Sequence, residues 1–321
     1  MSRTNESPKG EKHSPEQRFL FADLPQETGA SEAEERASSR KLQVSNGYLL
    51  EFERLSQLLS ALVRIGPKGR ITRADIIDET GLPDRSIEAL VSMATAMGIL
   101  KPVIQTLTSH GALLAEHDVF FERQGTLEWC HYRGAGSARN LVWFDVFNRL
   151  LVIEEPMTHP EWNTWFRKEL AGSYSERTLR KVVQEEVHFV VNGYLEQKLK
   201  TLDILEVGDG EVLIPRRHRN IDHLIFAAML YDFIESHGGR TLEIMELTHL
   251  PGSPTVLFQL DADSVRALLE TLHNEGLVRY ETTHNLDQIR LIPGYGPEEL
   301  LQAYFRGRKP QRQGEIGGAR G

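Results

Sequence analysis

The sequence predicts a mainly helical protein with small β wings, an α+β fold built from tandem winged helix-turn-helix domains. One pattern recurs three times: a helix, a second helix, a short turn, a third helix and a β-like hairpin. This is the order of a helix-turn-helix with a β appendage. Glycine and proline supply breaks between the segments, as with Gly81 and Pro83 in the first copy and Gly208-Asp209-Gly210 in the second.

Each copy can be followed along the chain. The first is ITRADIIDETGLPDRSIEALVSMATAMGIL with the hairpin KPVIQTLT. The second has a helix near 159–170, the turn AGSYS, a helix from Ser175 and the hairpin LDILEVGDGEVLI. The third has a helix at 221–236, the segment TLEIMELTHL, the helix DADSVRALLETLHNEGLV and two short strands around Asn285. An aromatic stretch over 120–151, also predicted to be helical, separates the first two copies.

These segments and the composition of the two ends define five regions. We predict a disordered tail at residues 1–45 and winged helix 1 at 46–120. A helical segment with winged helix 2 follows at 121–215, winged helix 3 at 216–305 and a basic disordered tail at 306–321. The first tail has eight acidic and seven basic residues and few apolar positions, so it cannot bury enough surface to fold. The last tail has five bases and one acid, which favours a solvated tail over contact with an acidic partner.

Composition and charge exclude several classes of protein. The 321 residues are 40% apolar and 26% charged, as in soluble globular proteins. A net charge of -9 argues against nonspecific coating of nucleic acid, but it is compatible with a local basic site. The N-terminus lacks the apolar core of a signal peptide, and the longest apolar run, 224–231, is too short to span a bilayer. With Cys130 as the single cysteine, these features predict a cytoplasmic protein without membrane contact.

The stretch SERTLRKVVQEEVHFVVNGYL, residues 175–195, carries the strongest indication of a binding surface. Its apolar residues form one stripe at helical spacings of three and four. Ser173 with Glu176 is typical of a capping box at the start of this helix. A recognition helix inserts its first turns into the DNA major groove. The polar face of those turns carries four predicted DNA-binding residues: Arg177, Arg180, Lys181 and Gln184.

Another interpretation of this basic face stays open. Glu185, Glu186 and Glu196 could balance the charge of an ordinary solvated surface. Two further segments could add phosphate contacts. The segment YRGAGSARN would place Arg133 and Arg139 on a flexible glycine-rich loop. The segment IPRRHRN, just after the second hairpin, contributes three more predicted DNA-binding residues: Arg216, Arg217 and Arg219.

The third helices of the other two copies are poorer candidates for DNA contact. In the first copy the predicted outward positions lack hydrogen-bonding reach, which favours packing on another domain or a partner protein. These positions are Arg85, Glu88, Ala89, Ser92, Met93 and Ala96. In the third copy Asp261 and Asp263 stabilise the start of the helix but would repel phosphate, which favours a structural role or a protein contact.

No motif in the sequence argues for an enzyme. It contains no GxxxxGK[ST] phosphate loop, no HExxH and no CxxC pair, and its twelve histidines show no metal-ligand spacing. Cys130, in an aromatic helical stretch, is more typical of a buried free cysteine than of a nucleophile. We predict no catalytic residue, no metal site and no cofactor. Trp143, Trp162 and Trp165 are expected to pack a core between helices.

Several stretches, taken in order, are similar to a known family. GLPDRSIEALVSMATAMGIL is followed by LTSHGALLAEHDVFFERQGTLEWCHY, NLVWFDVFN and the 175–195 stretch, and LPGSPTVLFQLDADSVRALLETLHNEGLV lies near the end. Over residues 46–305 these stretches resemble the uncharacterised bacterial winged-helix family encoded beside DNA phosphorothioation genes and sulfate-reductase-like genes. Glu128, where that family prefers an apolar residue, and the 133–140 segment depart from its pattern.

The resemblance implies a nonenzymatic accessory factor of bacterial DNA modification or antiphage defence, and it carries over no catalytic residues. The predicted function is therefore a DNA-binding accessory protein whose partners are DNA and the protein components of such a system. The alternative is a protein-interaction scaffold for modification or restriction enzymes, without direct DNA contact. A nuclease or a transferase would instead need a cluster of acidic residues in a pocket.

Overall fold

Helices make up most of the described chain and two small antiparallel sheets complete it, so the predicted α+β class is confirmed. The computed structural model describes residues 40–66, 70–102, 105–153, 155–283 and 286–313. Most of the two predicted tails, residues 1–39 and 314–321, lies outside these ranges. None of the helices in the described ranges has the length and apolar character that crossing a lipid bilayer requires.

The α-helices are numbered here in chain order. They are α1 Phe52–Ile65, α2 Arg73–Thr80, α3 Asp84–Ala96, α4 Ser109–His117, α5 Gln124–Gly136, α6 Leu141–Asp145, α7 His159–Glu169, α8 Glu176–Leu195, α9 His223–Ser236, α10 Ile244–His249, α11 Pro254–Leu257, α12 Ala262–Asn274 and α13 Pro297–Arg306. A π-helical turn over Val146–Leu150 extends α6, and a 3-10 helix over Lys198–Leu202 follows α8. Local signals set the helix ends. Thr72, for example, caps α2 by accepting a hydrogen bond from the Asp75 amide.

The two sheets share one topology. They comprise β1 Met157–Thr158, β2 Leu205–Val207 and β3 Val212–Pro215 in the first sheet, and β4 Thr241–Glu243, β5 Val278–Thr283 and β6 Leu286–Leu291 in the second. In each sheet the last strand lies in the middle and pairs antiparallel with the other two. Val207 lies opposite Leu213 in the first sheet, and Tyr280 lies opposite Ile289 in the second. In each sheet the first strand is followed along the chain by helices, and these helices are followed by the hairpin of the other two strands.

The two hairpins lie where the second and third copies of the sequence pattern predict them. The β5–β6 hairpin flanks Asn285, as expected, and the β2–β3 hairpin turns at residues 208–211. The wing predicted for the first copy is much smaller. Within the described residues it consists of one isolated bridge between Leu100 and Leu107.

Helix α5 lies in the core. Every residue from 125 to 135 except Arg133 is buried, and the helix contacts α6, α9 and α11. The aromatic stretch is therefore helical, as predicted. Trp143 and Trp162 are buried in the core between helices. Trp165 is only partly buried, because it lies at the edge of the core, where the guanidinium carbon of Arg149 is 4.8 Å from its ring centre.

Helix α13 joins the first and third copies of the pattern, because it packs on both α4 and α9. The predicted C-terminal tail starts at Arg306, but Arg306 is the last residue of α13. Further on, the backbone amide of Gln313 donates to the Gly294 carbonyl (2.7 Å) and its side-chain amide donates to Glu299 (2.6 Å). Residues up to Gln313 are therefore held by hydrogen bonds that the basic composition does not reveal.

Residues 40–45 belong to the folded structure, so their assignment to a disordered tail is wrong. Leu42, Val44 and Ser45 are buried. The Glu186 carboxylate in α8 accepts hydrogen bonds from the backbone amides of Val44 (3.0 Å) and Ser45 (2.9 Å) and from the Ser45 hydroxyl. Burial raises the pKa of Glu186, although these hydrogen bonds act in the opposite direction. The segment is fixed by a distant buried acceptor rather than by its own apolar content.

We expect Ser45→Ala to lower the free energy of unfolding by about 1.5 kcal/mol, because it removes a hydrogen bond to a buried carboxylate. It should also speed proteolytic cleavage within residues 40–45. Urea denaturation and timed limited proteolysis measure the two effects. Ser173→Ala, at an exposed position before α8, is the matched control and should change neither. Equal cleavage rates for Ser45→Ala and the wild type would contradict this attachment.

Candidate nucleic-acid interface

Helix α8 starts at Glu176 and buries the predicted stripe. Its N-cap is Ser175, whose hydroxyl accepts a hydrogen bond from the Thr178 amide (3.2 Å). The predicted capping box of Ser173 and Glu176 is therefore wrong, because Glu176 is the first residue of the helix and Ser173 lies two residues before the N-cap. Five residues of the apolar stripe are buried in the core: Leu179, Val183, Val187, Val190 and Tyr194.

The corrected cap gives a direct test. Ser175→Ala should lower the free energy of unfolding by about 1 kcal/mol, because it leaves a helix amide without its acceptor. Ser173→Ala should have a much smaller effect, since Ser173 is exposed in the preceding turn. Chemical denaturation of both variants measures the difference. A larger loss for Ser173→Ala than for Ser175→Ala would restore the original capping assignment.

The four predicted DNA-binding residues of α8 share one exposed face. Arg177, Arg180, Lys181 and Gln184 are all exposed. Lys181 lies 3.9 Å from the Glu185 carboxylate, a long contact. Across the described part of the chain, neither Arg177 nor Arg180 forms an ion pair with a carboxylate. Their guanidinium groups are therefore free to bind an external anion.

This arrangement opposes the stability of the helix. Arg177 stands three residues before Arg180 and four before Lys181, so the three charges are neighbours on the helix surface. Like charges at these spacings destabilise a helix by roughly 0.2–0.5 kcal/mol per pair. Cations in the first turns also oppose the positive end of the helix dipole. A bound polyanion would reverse both unfavourable effects.

Of the three glutamates that could neutralise the cations of this face, Glu185 alone contacts one of them. Glu185 is the partner of Lys181. Glu186 is buried and points to residues 44–45, as described above. Glu196 follows the end of α8, about 29 Å along the helix axis from Arg177, and accepts a hydrogen bond from Asn192. The interpretation as a charge-balanced surface therefore holds for Lys181 only.

The basic segment after β3 is largely engaged within the protein. Arg216 donates to Glu206 and lies 3.3 Å from Asp203, and the bond to Glu206 is the main cause that raises the pKa of Arg216. Arg217 pairs with Asp261 at the start of α12. Arg219 is exposed and has no ion pair within the described ranges. Of these three predicted DNA-binding residues, Arg219 is the one with a free charge.

The segment 133–139 is not the flexible loop that its glycines predict. It continues α5 as far as Gly136. A Cβ atom on Gly134 would lie 2.6 Å from the Trp143 ring, so this glycine permits the close approach of two helices. Arg133 donates to both carboxylate oxygens of Asp232 (2.9 Å each). Arg139 follows the helix and is exposed.

The third helices of the other copies face different surroundings. In α3, Ala89 and Met93 are buried, so their predicted outward orientation is wrong. Ser92 donates to the Val44 carbonyl (2.7 Å), which means that the N-terminal segment covers this side of α3. In α12, Asp261 caps the helix by accepting from the Ser264 amide (2.8 Å) and binds Arg217. These contacts are internal to the chain.

A buried contact between a carboxylate and an imidazole joins α5 to the segment after β3. The Glu128 carboxylate in α5 lies 2.7 Å from Nε2 of His218 and accepts from the Asp222 amide (3.2 Å). The other ring nitrogen of His218 lies 2.6 Å from the Leu202 carbonyl oxygen. The departure of Glu128 from the family pattern was the one available signal of this contact in the sequence.

The buried side chains of α5 are not arranged for nucleophilic chemistry. Cys130 is buried, as predicted, and burial raises the pKa of its thiol strongly. Burial also lowers the pKa of His131 to about 3, so this ring is neutral. In the part of the chain that the structure describes, no group of three or more His, Cys, Asp or Glu side chains could hold a metal ion.

Comparison with known proteins places the fold and the family. None of the curated proteins compared with this chain matches it. A crystal structure of magnesium ion-bound SspB is similar, with a TM-score of 0.65, 13% identity, and coverage of 83% of this chain and 87% of the other. A second SspB crystal structure has a TM-score of 0.63 and 14% identity, and the match again covers 83% of this chain and 87% of the other. At these identities the similarity concerns the fold alone. The family described as Protein of unknown function (DUF4007) matches residues 87–305, and the chain belongs to this family.

Proposed function

We propose that this protein is a DNA-binding accessory protein whose α8 is a recognition helix. The observation that carries the proposal is the exposed basic face of α8, in which Arg177 and Arg180 lack an ion-pair partner within the described ranges. Three adjacent cations destabilise the isolated helix, so their arrangement makes physical sense when phosphate groups lie against them. Gln184 extends the same face with a side chain that can donate to and accept from a base edge.

The surrounding elements support a winged-helix assignment. Helix α6, strand β1, helices α7 and α8, and the β2–β3 hairpin follow one another as in a helix-turn-helix with a wing. Helix α9, strand β4 and the elements up to β6 repeat this order. We propose that both units are winged helices and that the shorter first copy is a reduced one. The docking mode of such domains directs the N-terminal turns of the last helix at DNA.

Within the predicted set of DNA contacts, we assign different roles. Arg177, Arg180 and Lys181 would bind phosphates, and Arg219 would add a phosphate contact beside the wing. Arg216 and Arg217 keep their carboxylate partners and hold the segment that carries Arg219. This division follows from which charges are already neutralised inside the protein.

The biological setting rests on the sequence resemblance. We propose that the protein acts in the bacterial cytoplasm, in a DNA modification or antiphage defence system whose enzymes are its protein partners. A magnesium ion belongs to one similar SspB structure. The described residues here offer no group of three or more acidic, histidine or cysteine side chains for such an ion.

The scaffold alternative depended on the small outward face of α3. Residues 41–44 occupy part of this face, through the hydrogen bond from Ser92 to Val44 and the hydrogen bond from Lys41 to Ser92 (2.6 Å). A partner enzyme would have to displace the protein's own segment. We therefore favour direct DNA binding over the scaffold.

Fluorescence anisotropy tests the proposal. The full chain is titrated into fluorescein-labelled duplexes of one sequence, one plain and one with phosphorothioate linkages, at low and at physiological salt. Binding that weakens as salt rises is the expected result, because phosphate contacts release counterions. A difference between the two duplexes would support a role in phosphorothioate systems. Absence of binding to both duplexes at low salt would overturn direct DNA contact.

A further inference from the structure

A cavity of about 770 Å³ has no residue of α8 in its lining. The N-terminal segment 41–46, helices α3, α4 and α5, and the start of α13 surround it. Its volume falls within the range of small-molecule binding sites, roughly 300–1,000 Å³. Its lining does not include any of the residues to which we assign DNA contact, and Arg133 and Arg139, which the sequence suggested as further phosphate contacts, line this cavity instead.

A buried histidine on the cavity wall has unused hydrogen-bonding groups. His110 in α4 is only 5% exposed, and neither ring nitrogen has a hydrogen-bond partner among the described residues. Burial, with a smaller effect of the Arg133 charge, lowers the pKa of His110 to about 3, so the ring is neutral. A neutral imidazole offers one N–H donor and one acceptor. An unpaired donor and an unpaired acceptor in a buried site are destabilising, and a ligand that hydrogen-bonds to both nitrogens would remove this cost.

The cavity also carries free positive charge. Lys41, Lys101 and Arg139 line it, and none of them pairs with a carboxylate in the ranges that the structure describes. Lys101 and Arg139 are exposed, which places their charges where solvent can reach the cavity. Burial lowers the pKa of Lys41, the nearby charges of Glu186 and Glu88 raise it, and the charge of Arg139 lowers it. A local excess of positive charge favours binding of an anion.

The other charged residues of the cavity wall do not neutralise the three free cations. Arg73 and Arg133 also line the cavity, but each binds an aspartate outside its wall. Glu88 lies 3.8 Å from Arg73 and Glu298 is exposed on α13. The three free cations therefore outnumber the free carboxylates.

We propose that this cavity binds a small phosphate-bearing molecule of nucleotide size. Lys41, Lys101 and Arg139 would hold the phosphate, because guanidinium and ammonium groups are the usual phosphate partners in proteins. His110 would hydrogen-bond a neutral part of the same molecule, beside the Trp129 ring, whose centre is 5.7 Å from its own. The volume exceeds what inorganic phosphate needs. This inference is independent of the DNA-binding proposal, since the two sites share no residue.

Isothermal titration calorimetry on the full chain tests the inference. The probes are ADP, inorganic pyrophosphate and adenosine, which separate the contributions of phosphate and of the nucleoside. Two variants address the site. Arg139→Glu reverses a free charge, and His110→Phe keeps a ring of similar shape but removes both nitrogens. Arg279→Glu, at an exposed arginine outside the cavity lining, is the matched charge control.

The wild type should bind ADP with 1:1 stoichiometry and pyrophosphate more weakly, and adenosine should not bind measurably. Arg139→Glu should weaken ADP binding about 10-fold or more, and His110→Phe about 5-fold or more. His110→Phe should also keep or raise the melting temperature, because no protein group loses a partner. The triple variant Arg177→Glu, Arg180→Glu, Lys181→Glu should bind ADP like the wild type. No heat with ADP or pyrophosphate, or unchanged ADP affinity in both cavity variants, would overturn the inference.

Discussion

Replacing Arg177, Arg180 and Lys181 by glutamate is expected to weaken binding to duplex DNA about 100-fold at 0.15 M salt. Each phosphate contact contributes a slope of about 0.9 in log affinity against log salt, which amounts to about fivefold per contact at this salt concentration. Three lost contacts multiply to the stated factor before repulsion by the new carboxylates is added. Fluorescence anisotropy at fixed salt measures the loss.

The triple variant should remain folded. All three side chains lie outside the buried stripe of α8, and exposed substitutions of this kind usually change stability by within roughly 0.5 kcal/mol. Circular dichroism and thermal unfolding check this point. A matched control removes the same charge elsewhere, through Arg266→Glu, Arg279→Glu and Arg290→Glu, all exposed on the third copy. Equal losses of affinity in both triple variants would assign the effect to net charge rather than to α8.

The second large effect concerns stability. Glu128→Ala should lower the free energy of unfolding by about 3–5 kcal/mol, because it removes a buried carboxylate and leaves two polar groups without their partner, each of which costs roughly 1–3 kcal/mol. His218 would lose its carboxylate and the Asp222 amide would lose its acceptor. Urea denaturation measures the loss. Glu128→Gln keeps the shape and one acceptor oxygen, so it should be less damaging.

A loss below about 1 kcal/mol for Glu128→Ala would show that this contact is not an important support of this region. In that case the loss of packing alone would account for the measurement. An equal loss for Glu128→Gln would indicate that the charge of Glu128, and not only its hydrogen bonds, stabilises the structure.

The part of the candidate site that depends on local spacing could be predicted from the sequence. Helical periodicity separates the buried residues of α8, such as Leu179 and Val183, from the exposed Arg177 and Arg180. The same local signals placed the β2–β3 and β5–β6 hairpins. The buried state of Cys130 followed from its apolar and aromatic surroundings.

Features that depend on distant segments could not be predicted in this way. Glu186 looked like a surface acid, but its partner Ser45 is 141 residues away in the sequence. Glu128 and His218 are 90 residues apart. Gly134 suggested flexibility, whereas it provides space for a tryptophan from the next helix. In each case tertiary packing decides the role, and periodicity and composition carry no information about it.

The dependence of DNA affinity on salt distinguishes phosphate contacts made by α8 from a general effect of net charge. Anisotropy titrations of the wild type, the α8 triple variant and the control triple variant at several salt concentrations give one slope of log affinity against log salt for each protein. If Arg177, Arg180 and Lys181 each contact a phosphate, the slope of the α8 variant should be flatter than that of the wild type by about 2.7, while the control keeps the wild-type slope. A folded α8 variant with the affinity and slope of the wild type would contradict the assignment of α8 as the DNA-binding helix.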